Sequence, residues 1–173
     1  GGLGDGTTED RLEPVRVDTQ LRFSSLALGG YVSCALTGDG EGWCWGNNFY
    51  GQLGDGTQED RSRPVRVQMA EDLTALWTSG GHTCGLTEDG TAYCWGDNSF
   101  GQLGIGTAGP SSRSQPVPVQ SSERFTELAL GARHSCGLTA GGVLFCWGDN
   151  GSGQLGDGGA SAGWAIPVAV WRW

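Results

Sequence analysis

Apolar and polar positions alternate along this chain in short bursts, none long enough for an amphipathic helix. Leu73–Trp77 is a brief apolar run that ends at a Gly-rich bend, and Leu26–Leu28 and Leu128–Leu130 repeat it. Next comes Thr83–Thr87, then the turn Glu88-Asp89-Gly90, then Thr91–Gly96. Two apolar runs separated by three residues ending in Gly predict a hairpin closed by a type I turn and a Gly bulge. Gly38-Asp39-Gly40 and Ala140-Gly141-Gly142 hold the same place in their own units. A polar loop, Asp97–Ser114, leads to a last strand at Pro116–Val119. Proline restricts that strand to a sheet edge, where its missing N–H leaves no ladder bond unmade.

The pattern is periodic. Gly51-Gln52-Leu53-Gly54 returns at 101–104 and 153–156, and Gly1-Gly2-Leu3-Gly4 is a variant of it. Cys44-Trp45-Gly46 recurs at 94–96 and 146–148, and Pro-Val pairs stand at 14, 64, 116 and 167. Four-stranded units of about 50 residues with a proline-tolerant edge are the sequence form of β-propeller blades. The chain is therefore expected to be all-β, with about three complete four-stranded antiparallel blades plus one extra N-terminal strand. It divides into a partial repeat over 1–17 and repeats over 18–67, 68–119 and 120–173.

Composition narrows the function. Gly numbers 33 of 173 residues, Lys is absent, and 10 Arg face 19 Asp plus Glu for a net charge of −9. An acidic, Lys-free surface argues against nucleic acid and anionic membranes, both of which need clustered cations. No apolar run approaches the roughly 20 residues of a membrane helix. The chain opens without an initiator Met or a signal peptide, and so reads as a processed product or a piece of a longer one. Arg- and Gly-rich usage without Lys points to a high-GC bacterial genome.

The six Cys form three pairs, 34/44, 84/94 and 136/146, each ten residues apart. Counting outward from the turn places each pair at a non-hydrogen-bonded site, where facing Cα atoms lie about 4.5 Å apart. This is near the short end of what a disulfide tolerates. Three cross-strand disulfides are thus predicted, and with them an exported or extracellular protein. Buried free thiols and a metal site are the other readings, although ten-residue spacing on one hairpin matches no zinc knuckle.

The linked motifs His-(Ser/Thr)-Cys-Gly-Leu-Thr at 82 and 134, Cys-Trp-Gly-Asp-Asn, Gly-Gln-Leu-Gly and the distal Pro-Val together resemble the regulator of chromosome condensation (RCC1) repeat. The resemblance covers essentially the whole chain and implies a seven-bladed propeller. Two departures stand out: Val32 replaces the histidine of the first full unit, and the unit before it is cut down to its last strand. A seven-bladed ring at about 50 residues per blade needs roughly 350 residues. The shortfall predicts completion by a longer chain or by other copies, head to tail, with Glu13–Val17 as the exchanged strand.

No residue set calls for catalysis or a cofactor. His82 and His134 share one repeat position and suggest a repeated structural bond rather than a nucleophile pair. Asp5, Asp55 and Asp157 in Gly-Asp-Gly suit turns better than calcium, because no closing Glu follows. Trp45, Trp95 and Trp147 form one phased column, and Trp43, Tyr93 and Phe145 another, both expected between blades. Trp171-Arg172-Trp173 reads either as a partner surface or as the opening strand of another blade.

Contact surface is expected where the units differ. The loops Asn47, Asn48, Phe49, Tyr50; Asp97, Asn98, Ser99, Phe100; and Asp149, Asn150, Gly151, Ser152 share one phase and should line a single rim. The expected function is a non-catalytic protein-interaction module whose partner is another protein or other copies of itself. The alternatives are an inhibitor of an extracellular enzyme and, as the resemblance implies, nucleotide exchange on a small GTPase.

Overall fold

The computed structural model describes residues 1–160 and 162–170. Twelve strands form three four-stranded antiparallel sheets, each taken in chain order. The first sheet holds β1 (Phe23–Leu28), β2 (Val32–Thr37), β3 (Gly42–Gly46) and β4 (Arg61–Arg66). The second holds β5 (Leu73–Thr78), β6 (His82–Thr87), β7 (Ala92–Gly96) and β8 (Arg113–Pro118). The third holds β9 (Phe125–Leu130), β10 (His134–Thr139), β11 (Leu144–Gly148) and β12 (Trp164–Ala169). These are the all-β blades that the repeat arithmetic predicts.

The central hairpin follows its expected turn in each blade. Thr87 N donates to Thr91 O and Gly90 N to Thr87 O, with Gly90 at φ 80°. That left-handed position is one a side chain rarely adopts, which is why Gly40 and Gly142 stand at the same place. The register that results opposes Cys34 to Cys44, Cys84 to Cys94 and Cys136 to Cys146. All six are disulfide-bonded, with Cα atoms 4.1 Å apart in each pair. Pro64, Pro116 and Pro167 all lie in outermost strands, where no neighbour needs their N–H. The last strand of the second blade starts earlier than expected, at Arg113 rather than Pro116.

Glu13–Val17, foreseen as the outermost strand of a preceding blade, carries no ladder: its three sister strands are not among residues 1–22. Trp171 and Trp173 lie outside the described residues.

The core lies between blades rather than within them. β5 packs on β1 and β2, and β9 on β5 and β6, so the first strands sit side by side and the blades fan out from them. One buried cluster joins Val32, Cys34, Leu36 and Cys44 of the first blade to Leu73, Leu76 and Trp95 of the second. Its repeat joins Cys84, Leu86 and Cys94 to Phe125, Leu128 and Trp147. An aromatic side chain buries a large area, so the phased tryptophans dominate each joint. The second column, Trp43, Tyr93 and Phe145, is only half-buried at its rim.

Candidate functional site

Each joint between blades is keyed by one backbone carbonyl. Gln52 O accepts from Trp95 Nε1 and from Thr83 Oγ1, both at 2.9 Å. One repeat later, Gln102 O accepts from Trp147 Nε1 and Ser135 Oγ, again at 2.9 Å. The glutamine side chains are tied into their own turns: Gln52 Nε2 donates to Asn47 Oδ1 at 2.7 Å, and Gln52 Oε1 accepts from Tyr50 N. Leu53 N donates to Asn48 Oδ1, Leu103 N to Asn98 Oδ1 and Leu155 N to Asn150 Oδ1. Asn48, Asn98 and Asn150 are fully buried, so three of the twelve expected contact residues brace the loops instead of facing a partner.

The second joint contains a buried histidine. His82 Nδ1 lies 2.9 Å from Ser79 Oγ, and Nε2 lies 2.9 Å from Ser135 Oγ of the next blade. Ser135 spends its proton on Gln102 O, so Nε2 carries the ring proton and Nδ1 accepts from Ser79. Complete burial pushes His82 down to about 4; the Asp97 carboxylate opposes this shift and His134 adds to it. The neutral ring is closed off from solvent and makes a structural bond, but the bond is not repeated: among the described residues the His134 ring makes no such contact.

The Gly-Asp-Gly turns are likewise filled from within. Asp55 Oδ1 accepts from Thr57 N and Oγ1, while Arg61 bonds Oδ2 at 2.9 Å. Burial alone would raise the Asp55 carboxyl, but the Thr57 and Arg61 bonds outweigh it and hold it below the usual carboxylate range. Asp157 is held low by the Trp164 indole N–H, which takes the place of the arginine.

Two of the three predicted loops meet in an open trough of about 780 Å³. Phe49, Tyr50, Asp97, Ser99 and Phe100 line it together with the bends that end β1, β5 and β9. Phe49 is 69% exposed and packs edge-on against Tyr50, with ring centroids 4.9 Å apart. Tyr31, 77% exposed, forms one wall. On the far wall Arg133 reaches from the third blade and sets its guanidinium 4.5 Å from the centre of the Phe100 ring. A second hollow of about 480 Å³ shares Phe49, Tyr50, Asp97 and Ser99 and continues outward past Gln58 and Pro110. Asp149, Gly151 and Ser152 do not line either hollow.

Tyr31 and Arg133 were not among the expected contact residues. They share a repeat position with Gly81, so the unit-to-unit variation that marked the loops would also have marked them. Among the described residues no group of His, Cys, Asp and Glu is arranged to hold a metal ion.

Comparison with known proteins agrees with this architecture. Residues 39–86 and 89–138, together more than half of the chain, match the regulator of chromosome condensation (RCC1) repeat, and a second model of that repeat matches 23–52 and 125–154. The fold is similar to human WBSCR16, at 22% identity over 97% of this chain and 44% of that one, with a TM-score of 0.82. It is similar also to Prp20p of Saccharomyces cerevisiae, studied for binding to Gsp1p and histones, at 21% identity over 87% and 38% with a TM-score of 0.80. Yeast RCC1 (Prp20) bound to Kap60 gives 22% identity over 99% and 43%, also at 0.80. The chain thus spans less than half the length of these relatives. Their likeness extends to the fold, while the repeat match settles kinship: the chain belongs to the regulator of chromosome condensation (RCC1) repeat family.

Proposed function

We propose that this chain is a non-catalytic protein-interaction module, exported from its cell, that engages a protein partner through the trough around Phe49 and Tyr50. The exposed aromatic wall carries the reading. Phe49 and Tyr31 present large apolar faces to solvent on a scaffold whose phased tryptophans Trp45, Trp95 and Trp147 are packed away. Exposed aromatic clusters at a rim of polar residues are favoured anchors for partners. The rigid knitting of the loops, through buried Asn48, Asn98, Gln52 and Gln102, lowers the ordering cost of such binding. Three disulfides favour an oxidising compartment, where inhibition of an extracellular enzyme is the second reading. Both fit three disulfides better than nucleotide exchange on a small GTPase, an intracellular role.

The test is capture from the medium and surface of the producing cell with the wild-type chain and with Phe49→Ala/Tyr50→Ala. Specific capture of one protein by the wild type, lost in the variant while its disulfides and melting are kept, is expected. Equal capture by both would move the site elsewhere. Absence of the protein from the medium and surface would overturn export.

A further inference from the structure

The loops of the first and second blades are built alike, yet only one carries a side chain laid over its aromatic ring. Tyr50 N donates to Gln52 Oε1 as Phe100 N donates to Gln102 Oε1, so Tyr50 and Phe100 hold one place in the repeat. Asp97 N donates to Gly81 O as Asp149 N donates to Arg133 O, so Gly81 and Arg133 hold another. At the second joint Arg133 sets its guanidinium 4.5 Å from the centre of the Phe100 ring. At the first joint Gly81 has no side chain to lay over Tyr50, and the same seat is left open. A Cβ at Gly81 would meet only the Asp97 Cβ, at 3.8 Å. Phe49 and Tyr50 are accordingly 69% and 38% exposed. Both blades that frame this seat are complete four-stranded sheets.

We propose that this seat takes an arginine side chain of the protein partner, a reading that rests on the trough being its binding site. The guanidinium lies over the Phe49–Tyr50 pair and beside the Asp97 carboxylate. The second joint supplies the template, an arginine on the aromatic ring of the same loop position. Charge points the same way. The chain has no Lys and a net charge of −9, so its field draws in cations. Asp97 lines the trough next to Gly81. Its Oδ1 accepts from Ser99 N and Oγ, and its Oδ2 from Gln102 Nε2, which holds the carboxylate in place. No arginine among the described residues forms an ion pair with it. Arg133, the one basic residue lining the trough, is engaged on Phe100. A guanidinium suits the seat better than an ammonium, because it stacks on a ring face and still offers its N–H edge to a carboxylate.

Titration with N-acetyl-arginine amide, followed by NMR, tests the seat without the partner. The amide signals of Tyr50, Gly80 and Gly81 should shift and saturate. N-acetyl-citrulline amide, of the same shape without the charge, should bind about tenfold more weakly. Tyr50→Ala and Asp97→Asn should each weaken the arginine probe about threefold. Asparagine is native to that place in the first unit, where Asn47 takes the Gln52 bond. Gly81 lies outside the left-handed region, so Gly81→Arg can put the chain's own guanidinium in the seat and should abolish binding of the probe. No shift at these amides, equal binding of the citrulline probe, or undiminished binding by Gly81→Arg would overturn the assignment. In the capture experiment Gly81→Arg should lose the partner as Phe49→Ala/Tyr50→Ala does. Capture kept by Gly81→Arg but lost on Phe49→Ala/Tyr50→Ala would overturn the arginine and leave the trough as the site, so the two readings fail separately.

Discussion

The joint between the first and second blades and the joint between the second and third come from one repeat, and among the buried positions where they differ one titrates. Both seat a tryptophan indole on a glutamine carbonyl and a hydroxyl beside it. The first joint has Val32 where the second has His82, bonded across to Ser135. Valine needs no partner, whereas the histidine is neutral only while it stays buried. The shared parts therefore carry the strength of a joint, and the variable part sets how it responds to acid.

The strength should be equal at the two joints. Trp95→Ala and Trp147→Ala, each removing a fully buried ring, are each expected to cost about 3–5 kcal/mol in denaturant titration. A difference of more than about 1.5 kcal/mol would show that the joints are not interchangeable.

Acid should separate them. His82 titrates near 6.5 unfolded and about 4 folded, so on acidification the unfolded chain takes up its proton first. Its contribution is whole above about pH 6.5, falls as the pH drops toward about 4, and totals about 3 kcal/mol. His82→Val should flatten that part of the stability–pH curve. Comparing the variant with the wild type cancels the aspartates, whose lowered values stabilise above the acid range. An unchanged slope would remove His82 as the acid-sensitive element.

The hydroxyls come next. Ser135→Ala leaves His82 Nε2–H buried without an acceptor and should cost about 1–3 kcal/mol. Thr83→Val, with no histidine opposite, should cost about 1 kcal/mol. Equal losses would deny the histidine bond any weight. Smallest of all, Leu26→Ala should change the stability of the monomer by under about 0.5 kcal/mol, whereas Leu128→Ala should cost about 2–5 kcal/mol. Thermal melts at low protein concentration would read both.

The hairpins, their register and the disulfide pairs could be read from the chain, because a three-residue turn fixes every pair outward from it. The edge prolines were legible for the same local reason. What stayed hidden was longer-range. Asn48 and Gln52 are polar residues of a turn, and only the neighbouring backbone shows that they are buried braces. Arg133 looks like a surface charge until the third blade carries it over Phe100. A lone outer strand also cannot be judged from its residues, since Glu13–Val17 lacks only its neighbours.

A carbonyl that takes the same two donors at each joint also explains how such chains change over generations. Repeat spacings of 50 and 52 residues coexist here because the two additional residues fall between Gly104 and Pro116, beyond the keyed carbonyl of Gln102. Any unit that brings its own tryptophan, hydroxyl and turn can be copied in or deleted whole without redesigning its neighbours. Blade number is thereby open to gene duplication, one cassette at a time.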